Sequence, residues 1–426
     1  MPTERVVVVG TTSDYIDLIR KRYPGRTLFI TDTSERARAS EEAPAPCDEV
    51  LCSLRDASAA LASLRSHLQT YGLTAAGVAG FDCESLGLAA ELARALGLPF
   101  PTLSSVSLCR NKFLSKEAWH AAGVDCPRAG IVRSASEACS FLADLGRPVI
   151  LKPLTGSGGE LVFRCAEQAD CVSALEIMHR RLAELGASRM YTPGQAGSAG
   201  FDPLQEVVIE ELVGGHEYSC DFLLAEGRLE IIRMAEKVPA AGAHAGTTAA
   251  YILPAVLPEE VPGFQEQLRR AAAALGLERA ICMVDFLVWQ GRAYLLELTP
   301  RPGGDCLPWL IRQCSGLDML GLALDFAQGR EVRLPEPSDW QRLVGLRLFA
   351  GRAGVVRHID DRALRQDGRV REVLIKRQPG HRVVMPPQDY DSRLLGHVVF
   401  QPSPEIPVEE QCVDLSGKLT VTIEAT

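Results

Sequence analysis

Over its first hundred residues the chain alternates short apolar runs with amphipathic segments rich in Ala and Leu. Arg5–Gly10 (RVVVVG) has the continuous apolar run of a buried parallel strand, and Thr27–Ile30 repeats it after the helical stretch Asp14–Arg22. Strands that alternate with helices in this way form a parallel sheet covered by helices. The single glycine after the first strand lacks the spaced glycines of a dinucleotide-binding fingerprint, so this sheet is not expected to bind NAD.

From about residue 112 the pattern changes to paired strands separated by helices. We predict helices from about Lys112, from about Ser136 and over Pro262–Leu275. The predicted strands are Ala129–Val132, Pro148–Pro153, Glu206–Leu212, Glu217–Leu224, Arg228–Ala235, Ala280–Trp289 and Arg292–Leu298. The Gly/Ser/Pro-rich segment Gly186–Pro203 predicts a long mobile loop, and loops of that length often act as lids. Beyond about residue 333, short strands and turns predict a smaller C-terminal module.

Composition narrows the class of protein. A chain of 426 residues is long enough for roughly two to four domains. Its 45 basic residues against 54 acidic ones disfavour a general nucleic-acid binder, because phosphate neutralisation needs a basic surface. We expect no membrane span and no signal peptide, since no apolar run is long enough. The odd number of cysteines, 13, without a C-x-x-C pair predicts free thiols in a reducing cytoplasm.

The first segment with candidate chemistry is VILKPLTGSGG. Lys152 lies near the end of an apolar strand, and the turn Gly156–Gly159, which includes Ser157 and Gly158, follows it. A lysine followed by a turn rich in backbone N–H groups can hold nucleotide phosphates. Taken alone, the segment is more often an ordinary Gly-rich hairpin. It is neither a P-loop nor part of a protein kinase, because the chain has no G-x-x-x-x-G-K-[ST], HRD or DFG motif.

The second segment, VVIEELVGGHEYSCDFLL, spaces two carboxylates seven residues apart. Glu210 and Glu217 flank a strand end, a Gly-Gly turn and the start of the next strand. A carboxylate at a strand end can accept hydrogen bonds from ribose hydroxyls, and the backbone of Glu211 and Leu212 can read an adenine edge. The alternative is a hairpin with ordinary charged residues.

The third segment, AICMVDFLVWQGRAYLLELTPRPGGD, carries the most specific local pattern. Asp285 and Glu297 lie on two strands joined by a hairpin turn, where antiparallel pairing can bring them to the same side. Two facing carboxylates repel unless a cation lies between them, and Mg²⁺ suits oxygen ligands with open positions. Arg301 follows in a Pro- and Gly-rich turn. The alternative is an exposed hairpin with a salt bridge.

In this order, and together with Lys112 in RNKFLSKEAWHAAGVDCP, these segments resemble the ATP-grasp superfamily over roughly residues 5–330. Within it the chain is similar to carboxylate–amine ligases related to L-amino acid ligases, and more distantly to biotin carboxylase and carbamoyl phosphate synthetase. The resemblance implies an α/β fold with an N-terminal Rossmann-like parallel sheet, two α+β lobes that clamp the nucleotide, and a small C-terminal module.

The resemblance also implies domain boundaries. We expect the N-terminal α/β domain over residues 1–105 and the ATP-grasp domain over residues 106–332. A mobile lid-like subdomain is expected at residues 147–215, and a C-terminal α+β module at residues 333–426.

For the nucleotide, the resemblance implies that Lys112 and Lys152 contact the α- and β-phosphates of ATP. The loop Gly156–Gly159 would close over those phosphates. Glu210, with the backbone near Glu211 and Leu212, would hold adenine. Glu217 would hold the ribose.

For metal and substrate, the resemblance implies that Asp285 and Glu297 bind magnesium, with manganese as an acceptable substitute. Arg301, with Gly303 and Gly304, would grip the substrate carboxylate and the charge that develops on it, which makes Arg301 and Lys152 the expected catalytic residues. The expected substrate side also includes Lys237 and His244.

Three positions depart from the family pattern. Thr299 stands where the family usually has an Asn metal ligand, and a hydroxyl is a shorter and weaker oxygen ligand. Asp285 replaces the more common Glu, and Asn111 precedes Lys112 where Asp is usual. These departures affect the expected metal geometry and leave the expected fold unchanged.

The function that the resemblance implies is ligation through an acyl phosphate, with release of ADP and phosphate. A carboxylic acid, an amino acid or a similar acid, would be activated by ATP and then attacked by an amine. Two alternatives stay open: a bicarbonate-dependent carboxylase of the biotin carboxylase type, and a nucleotide-binding protein without turnover. The resemblance also makes a homodimer a reasonable expectation.

Overall fold

The computed structural model describes residues 3–191, 200–240, 246–257 and 261–425. Within these ranges the strands are β1 (Thr3–Val9), β2 (Thr27–Asp32), β3 (Glu49–Cys52), β4 (Leu73–Ala79), β5 (Ala129–Val132), β6 (Val149–Pro153), β7 (Phe163–Cys165), β8 (Val207–Glu211), β9 (His216–Ala225), β10 (Arg228–Pro239), β11 (Thr248–Leu253), β12 (Ala280–Trp289), β13 (Arg292–Thr299), β14 (Leu343–Phe349), β15 (Gly354–Asp360), β16 (Val370–Ile375), β17 (Arg382–Val383), β18 (Leu394–Phe400) and β19 (Thr420–Glu424). The α-helices are α1 (Ser13–Arg22), α2 (Thr33–Arg36), α3 (Ala57–Tyr71), α4 (Leu86–Leu96), α5 (Leu103–Arg110), α6 (Lys112–Ala121), α7 (Ala135–Leu145), α8 (Gln168–Glu184), α9 (Phe264–Ala274), α10 (Leu307–Ser315), α11 (Met319–Ala327), α12 (Arg362–Arg365) and α13 (Val408–Gly417).

The N-terminal region is the parallel sheet that the alternating pattern predicts. Its strand order is β3-β2-β1-β4, and every pair in it is parallel. The valines of β1 from Val6 to Val9 are almost fully buried, because helices cover both faces of the sheet. The predicted α/β fold class is confirmed here.

The second sheet is small and antiparallel, with strand order β5-β8-β6-β7. Helices α7 and α8 pack their apolar residues, among them Leu142 and Met178, against this sheet and form one core with it. Helix α7 begins at a capping box in which the Ser134 hydroxyl accepts from the Glu137 N–H. Lys152 and Glu210 lie on the central strands of this sheet.

The third sheet is the largest, with eight strands in the order β13-β12-β9-β10-β11-β14-β18-β16. Strand β11 is absent from the prediction, although its residues Ala249–Leu253 form a continuous apolar run. Strands β14, β16 and β18 come from the predicted C-terminal module, and hydrogen bonding places them in the same sheet as β11. The domain boundaries stay predictions. Part of the region after residue 333 extends the eight-stranded sheet.

The segment Gly186–Pro203, predicted as a mobile loop, is described only at its two ends. Residues 192–199 lie outside the described residues. On the N-terminal side, Arg189 is buried and pairs with Glu35, and the Tyr191 hydroxyl donates to the Glu160 carboxylate at 2.6 Å. These residues are therefore packed against the core instead of standing free in solvent. Across the four described stretches, no helix is both long enough and apolar enough to span a membrane.

Helix α11 packs so closely on β4 that a glycine is needed between them. A methyl group added at Gly77 would lie 2.3 Å from the backbone oxygen of Ala327. We predict that Gly77→Ala destabilises the protein by about 1–3 kcal/mol, because the helix must move away from the sheet. Gly351→Ala is the control, since that site is open and its φ is not left-handed. Urea unfolding of both variants checks this, and equal stability would contradict it.

Candidate functional site

A buried carboxylate joins two lysines between the small sheet and the large one. Glu210 on β8 lies 2.7 Å from the Lys152 ammonium on β6 and 2.8 Å from the Lys116 ammonium on α6. Lys116 also donates to the backbone oxygen of Leu296 on β13 at 2.7 Å. One lysine therefore connects the two sheets at the position where the sequence predicts the nucleotide.

Lys116 is the residue of this cluster that the sequence analysis missed. It lies four residues after Lys112 on α6, a spacing that places two side chains on the same helix face. That spacing was the available signal. Burial lowers the pKa of Lys116 to about 8, against the opposing attraction of Glu210. Burial raises the pKa of Glu210, but Lys116 and Lys152 outweigh it and hold that pKa below its ordinary value.

Lys112 begins helix α6 and reaches both the glycine loop and the acidic hairpin. Its ammonium donates to the backbone oxygen of Gly156 at 2.8 Å and lies 3.7 Å from a Glu297 carboxylate oxygen. The Asn111 side chain caps this helix by accepting from the N–H groups of Phe113 and Leu114. Asn caps as well as Asp does, so the departure at this position keeps Lys112 in place.

The loop after β6 depends on its glycines. Gly156, Gly158 and Gly159 all have positive φ, which is unfavourable for other residues. A methyl group at Gly159 would lie 2.6 Å from the backbone oxygen of Gly246, beyond β10. The glycine loop therefore touches Gly246, which lies between β10 and β11 of the large sheet. Ser157 at the tip of the glycine loop is exposed. His244 lies outside the described residues.

The two carboxylates predicted to bind metal pair directly across β12 and β13. Asp285 is the register partner of Glu297, so their side chains lie on one face of the sheet. Lys237 on β10 lies 3.2 Å from Asp285 and also contacts Glu217, the residue predicted to hold ribose. Thr299, two residues beyond Glu297, lies on the same face.

The two carboxyl groups of this hairpin have pKa values shifted in opposite directions. Burial raises the pKa of Asp285, and repulsion from Glu297 and Glu217 adds to it against the attraction of Lys237. Burial also raises the pKa of Glu297, but Lys112 and Lys152 lead the cations that hold it below its ordinary value. Burial disfavours the charged Lys237, yet Asp285 and Glu217 raise its pKa well above the ordinary value.

The acidic hairpin fits a magnesium ion that is shared with phosphates. One oxygen of Asp285, Oδ1, is buried and has no hydrogen-bond partner, which leaves it available to a cation. The described residues contain no group of three or more protein ligands for a metal. Magnesium usually takes only one or two carboxylates and completes its shell with phosphate and water, so two carboxylates suffice.

The adenine end of the expected site is partly engaged by the protein itself. The N–H groups of Glu211 and Leu212 donate to the backbone oxygens of Arg128 and Pro148 at 2.9 and 3.0 Å. The Glu211 carboxylate pairs with Arg147. These two N–H groups are therefore not free to read a base, and the adenine roles of Glu210 and of this backbone stay predictions.

The turn that carries Arg301 is braced from beneath by a buried ion pair. The Asp221 carboxylate accepts from the Gly303 N–H at 3.2 Å and pairs with Arg233 at 2.9 Å, with both side chains fully buried. A methyl group at Gly303 would lie 2.7 Å from Arg233. Gly304 is looser, since a methyl group there would be 3.8 Å from Arg301.

Arg301 itself points toward the N-terminal region. Its Nε–H donates to the Cys83 thiol at 3.1 Å, and its Nη1 donates to the backbone oxygen of Pro302 at 2.8 Å. No carboxylate among the described residues forms an ion pair with Arg301. Asp221, Arg233 and Cys83 were not predicted from the sequence. The available signal was Asp221, a charged residue that interrupts an apolar strand.

The structure thus brings most of the predicted residues together. Contacts of 4 Å or less link the residues of one cluster, which are Lys112, Lys116, Lys152, Glu210, Glu297 on one side and Lys237, Glu217, Asp285 on the other. The register of Asp285 with Glu297 joins the two sides. Arg301 lies two residues after Thr299, and its N–H donates to the Thr299 backbone oxygen at 2.9 Å.

We predict that Glu210→Gln destabilises the protein by about 3 kcal/mol, because two buried ammonium groups lose their counter-charge. The control is Glu211→Gln, whose partner Arg147 is half exposed, and its cost should stay below about 1 kcal/mol. Adding Lys116→Met to Glu210→Gln should recover stability in a double-mutant cycle. Urea unfolding measures the wild type, Glu210→Gln, Lys116→Met, the double variant and the Glu211→Gln control; additive losses would show that the pair is not coupled.

Comparison with known proteins agrees with this geometry. Residues 145–308 match the family model described as an ATP-grasp domain. The chain superposes on the L-amino acid ligase from Bacillus licheniformis with a TM-score of 0.74 and 18% identity, covering 100% of both chains.

Two curated relatives match over shorter spans. A D-alanine--D-alanine ligase of Aromatoleum aromaticum is 29% identical over 51% of this chain and 65% of its own length. An uncharacterized protein of Sinorhizobium fredii is 26% identical over 75% of this chain and 64% of its own. The chain thus spans just under two thirds of the length of each. Residues 145–308 are therefore similar to ATP-grasp domains, and the chain as a whole shares its fold with the L-amino acid ligase.

Proposed function

We propose that the protein is an ATP-dependent, ADP-forming ligase that joins a carboxylic acid to an amine. The observation that carries the proposal is the convergence of buried lysines on two carboxylates, one on the small sheet and one on the acidic hairpin of the large sheet. Lys112, Lys116 and Lys152 face Glu210 and Glu297, so three ammonium groups meet two carboxylates. On this side of the cluster the ammonium groups outnumber the carboxylates, and positive charge in a desolvated region between two sheets suits a polyphosphate.

The lysines would position the phosphates. Lys152 lies on the strand that leads into the loop Gly156–Gly159, and Lys112 donates to the backbone oxygen of Gly156 in that loop. Backbone N–H groups in such a turn bind phosphate oxygens, and the glycines allow the backbone to approach closely. Lys116 is bonded to Glu210 and Leu296 and is a positioning residue that orients Glu210, which in turn orients Lys152.

Asp285 and Glu297 would hold magnesium together with the phosphates. Bound MgATP supplies the phosphoryl group that turns a carboxylate into a good acyl donor. The protein residues do no covalent work in that step, since positioning and positive charge supply most of the effect. Thr299 lies on the same face and can add a hydroxyl oxygen.

Arg301 would bind the carboxylate that is activated. Its guanidinium lacks a carboxylate partner in the described chain, and the Asp221–Arg233 pair holds its turn rigid. An acyl phosphate hydrolyses in water, so the site must exclude water before the amine attacks. The contact of Gly159 with Gly246 supports a role for the glycine loop in that exclusion.

The reaction class is tested by phosphate release from ATP with magnesium, across amino acids offered singly and in pairs, with products detected by mass. Ligation predicts release that needs both an acid and an amine, and a condensed product. Release that depends on bicarbonate would instead indicate a carboxylase of the biotin carboxylase type. Tight ATP binding without any release would indicate a nucleotide-binding protein without turnover.

Glu297→Gln should lower magnesium-dependent turnover by roughly 10²-fold or more, because the site loses a metal carboxylate that the lysines keep ionised. Glu230→Gln, an exposed carboxylate on neighbouring strand β10, is the control and should keep the wild-type rate. Steady-state phosphate release over a magnesium titration measures both variants. A near-normal rate for Glu297→Gln would remove this residue from the metal site.

Arg301→Ala should abolish turnover, with a loss of roughly 10²–10³-fold, while the Kd for ATP stays within a few-fold of wild type. The reason is that Arg301 is proposed to bind the substrate carboxylate, whereas the lysine cluster is proposed to bind ATP. Arg292→Ala, which removes an exposed arginine paired with Asp125, is the matched control. Calorimetry for ATP and phosphate release for turnover separate the two effects; a large loss of ATP affinity would contradict the assigned role.

A further inference from the structure

In the part of the chain that the structure describes, Arg393 is a buried cation without a counter-charge. Its exposed fraction is 9%, and among the described residues no carboxylate lies within 4 Å of it. Its one side-chain hydrogen bond there runs from Nη2 to the Thr247 hydroxyl at 3.2 Å, and its Nε has no partner. Burial lowers the pKa of Arg393, and the neighbouring Arg347 lowers it further. A desolvated guanidinium left unpaired is costly to the fold.

A second arginine lies beside it. The guanidinium groups of Arg347 and Arg393 each lie 4.9 Å from the centre of the Phe349 ring. Arg347 is balanced by Asp305, at 2.6 Å, and donates to the backbone oxygen of Thr248 at 3.0 Å. The two arginines therefore share one carboxylate, and the group keeps an excess positive charge.

Arg347 lies on the same face of the large sheet as the lysine and carboxylate cluster, and Arg393 reaches it through the Phe349 ring that both arginines contact. Residues paired directly across strands point to the same side. Lys237 pairs with Tyr251, and Tyr251 pairs with Gly345, two residues before Arg347 on β14. Two strand spacings separate Lys237 from Arg347, or roughly 10 Å across the sheet.

Arg393 is also linked, through a chain of contacts, to the glycine loop Gly156–Gly159. Thr247, the hydrogen-bond partner of Arg393, follows Gly246, which touches Gly159 of the glycine loop. Asp305, the partner of Arg347, belongs to the turn that carries Arg301. The arginine pair is thus joined to both sides of the candidate active site, and it is contributed by the C-terminal part of the chain.

We propose that Arg393 and Arg347 form an anion subsite that binds an acidic group of a substrate, a carboxylate or a phosphate, remote from the carboxylate that reacts. Planar guanidinium groups bind such oxyanions in bidentate fashion. The inference rests on the proposed ligase function for the identity of the bound molecule. Two sources carry this chemistry: an acid with a second acidic group, or an amine substrate with its own carboxylate.

The subsite is tested first by binding, without turnover. Calorimetry on the protein loaded with ADP and magnesium compares succinate, O-phospho-L-serine and L-alanine with succinamate, L-serine and L-alaninamide, which each lack one acidic group. Arg393→Met should raise the Kd of at least one acidic probe about tenfold or more, the loss expected for one charge-assisted hydrogen bond. Its affinity for the matched probe that lacks that acidic group should not change.

Two further variants control this measurement. Arg382→Met removes an exposed arginine from strand β17 and should leave every Kd unchanged. Arg393→Lys keeps the charge without the planar fork and should bind the acidic probe with intermediate affinity. The source follows from which pair responds: succinate or phosphoserine indicates a second acidic group on the acid, and alanine indicates the carboxylate of the amine.

Stability separates a binding role from a structural one. Arg393→Met should leave the ligand-free Tm unchanged or raised, since it removes an unpaired buried charge, whereas a structural arginine would lower the Tm when lost. The proposal is overturned if no acidic probe binds the wild type, if Arg393→Met binds the probes equally well, or if that variant loses only affinity for ATP. Probe binding that depends on Arg393 without ATP-driven phosphate release would instead disprove the ligase function and keep the subsite.

Discussion

The arrangement of the site depends on one desolvated contact, the Glu210 carboxylate between the ammonium groups of Lys116 and Lys152. Water cannot screen charges buried between two sheets, so each group needs the others to remain ionised. Lys116 adds a bond to the backbone of β13, which carries Glu297. The small sheet and the large sheet are thereby held at a separation that sets the distance from Lys152 to the acidic hairpin.

The continuous eight-stranded sheet extends that geometry into the substrate side. Because direct partners share a face, Glu297, Asp285, Lys237, Tyr251 and Arg347 lie along one surface. This surface changes from carboxylates at the β13 edge to arginines at β14. Under the proposed function, a substrate lying along this surface would have the carboxylate pair at one end and the arginines at the other, and the C-terminal strand β14 would contribute to its binding.

Several motifs could be predicted from local sequence because their causes are local. The RVVVVG run needs only its own apolar residues to indicate a buried strand, and the Gln290–Gly291 turn sets the hairpin that pairs Asp285 with Glu297. The glycines after Lys152 indicate a turn through their backbone freedom. Lys116, by contrast, has only its spacing from Lys112 as a local signal, and its burial against Glu210 is a property of the folded chain.

The sequence by itself determined the α/β class, the strand carrying Lys152, and the hairpin carrying Asp285 and Glu297, since these follow from patterns within about thirty residues. The tertiary structure alone decided which distant charges meet. Several contacts join residues that are distant in the sequence and that no local pattern pairs. They are Lys116 with Glu210, Asp221 with Gly303, and Arg393 beside Arg347. Whether a charged residue is solvated or buried depends on how the sheets pack, and that is a property of the whole fold.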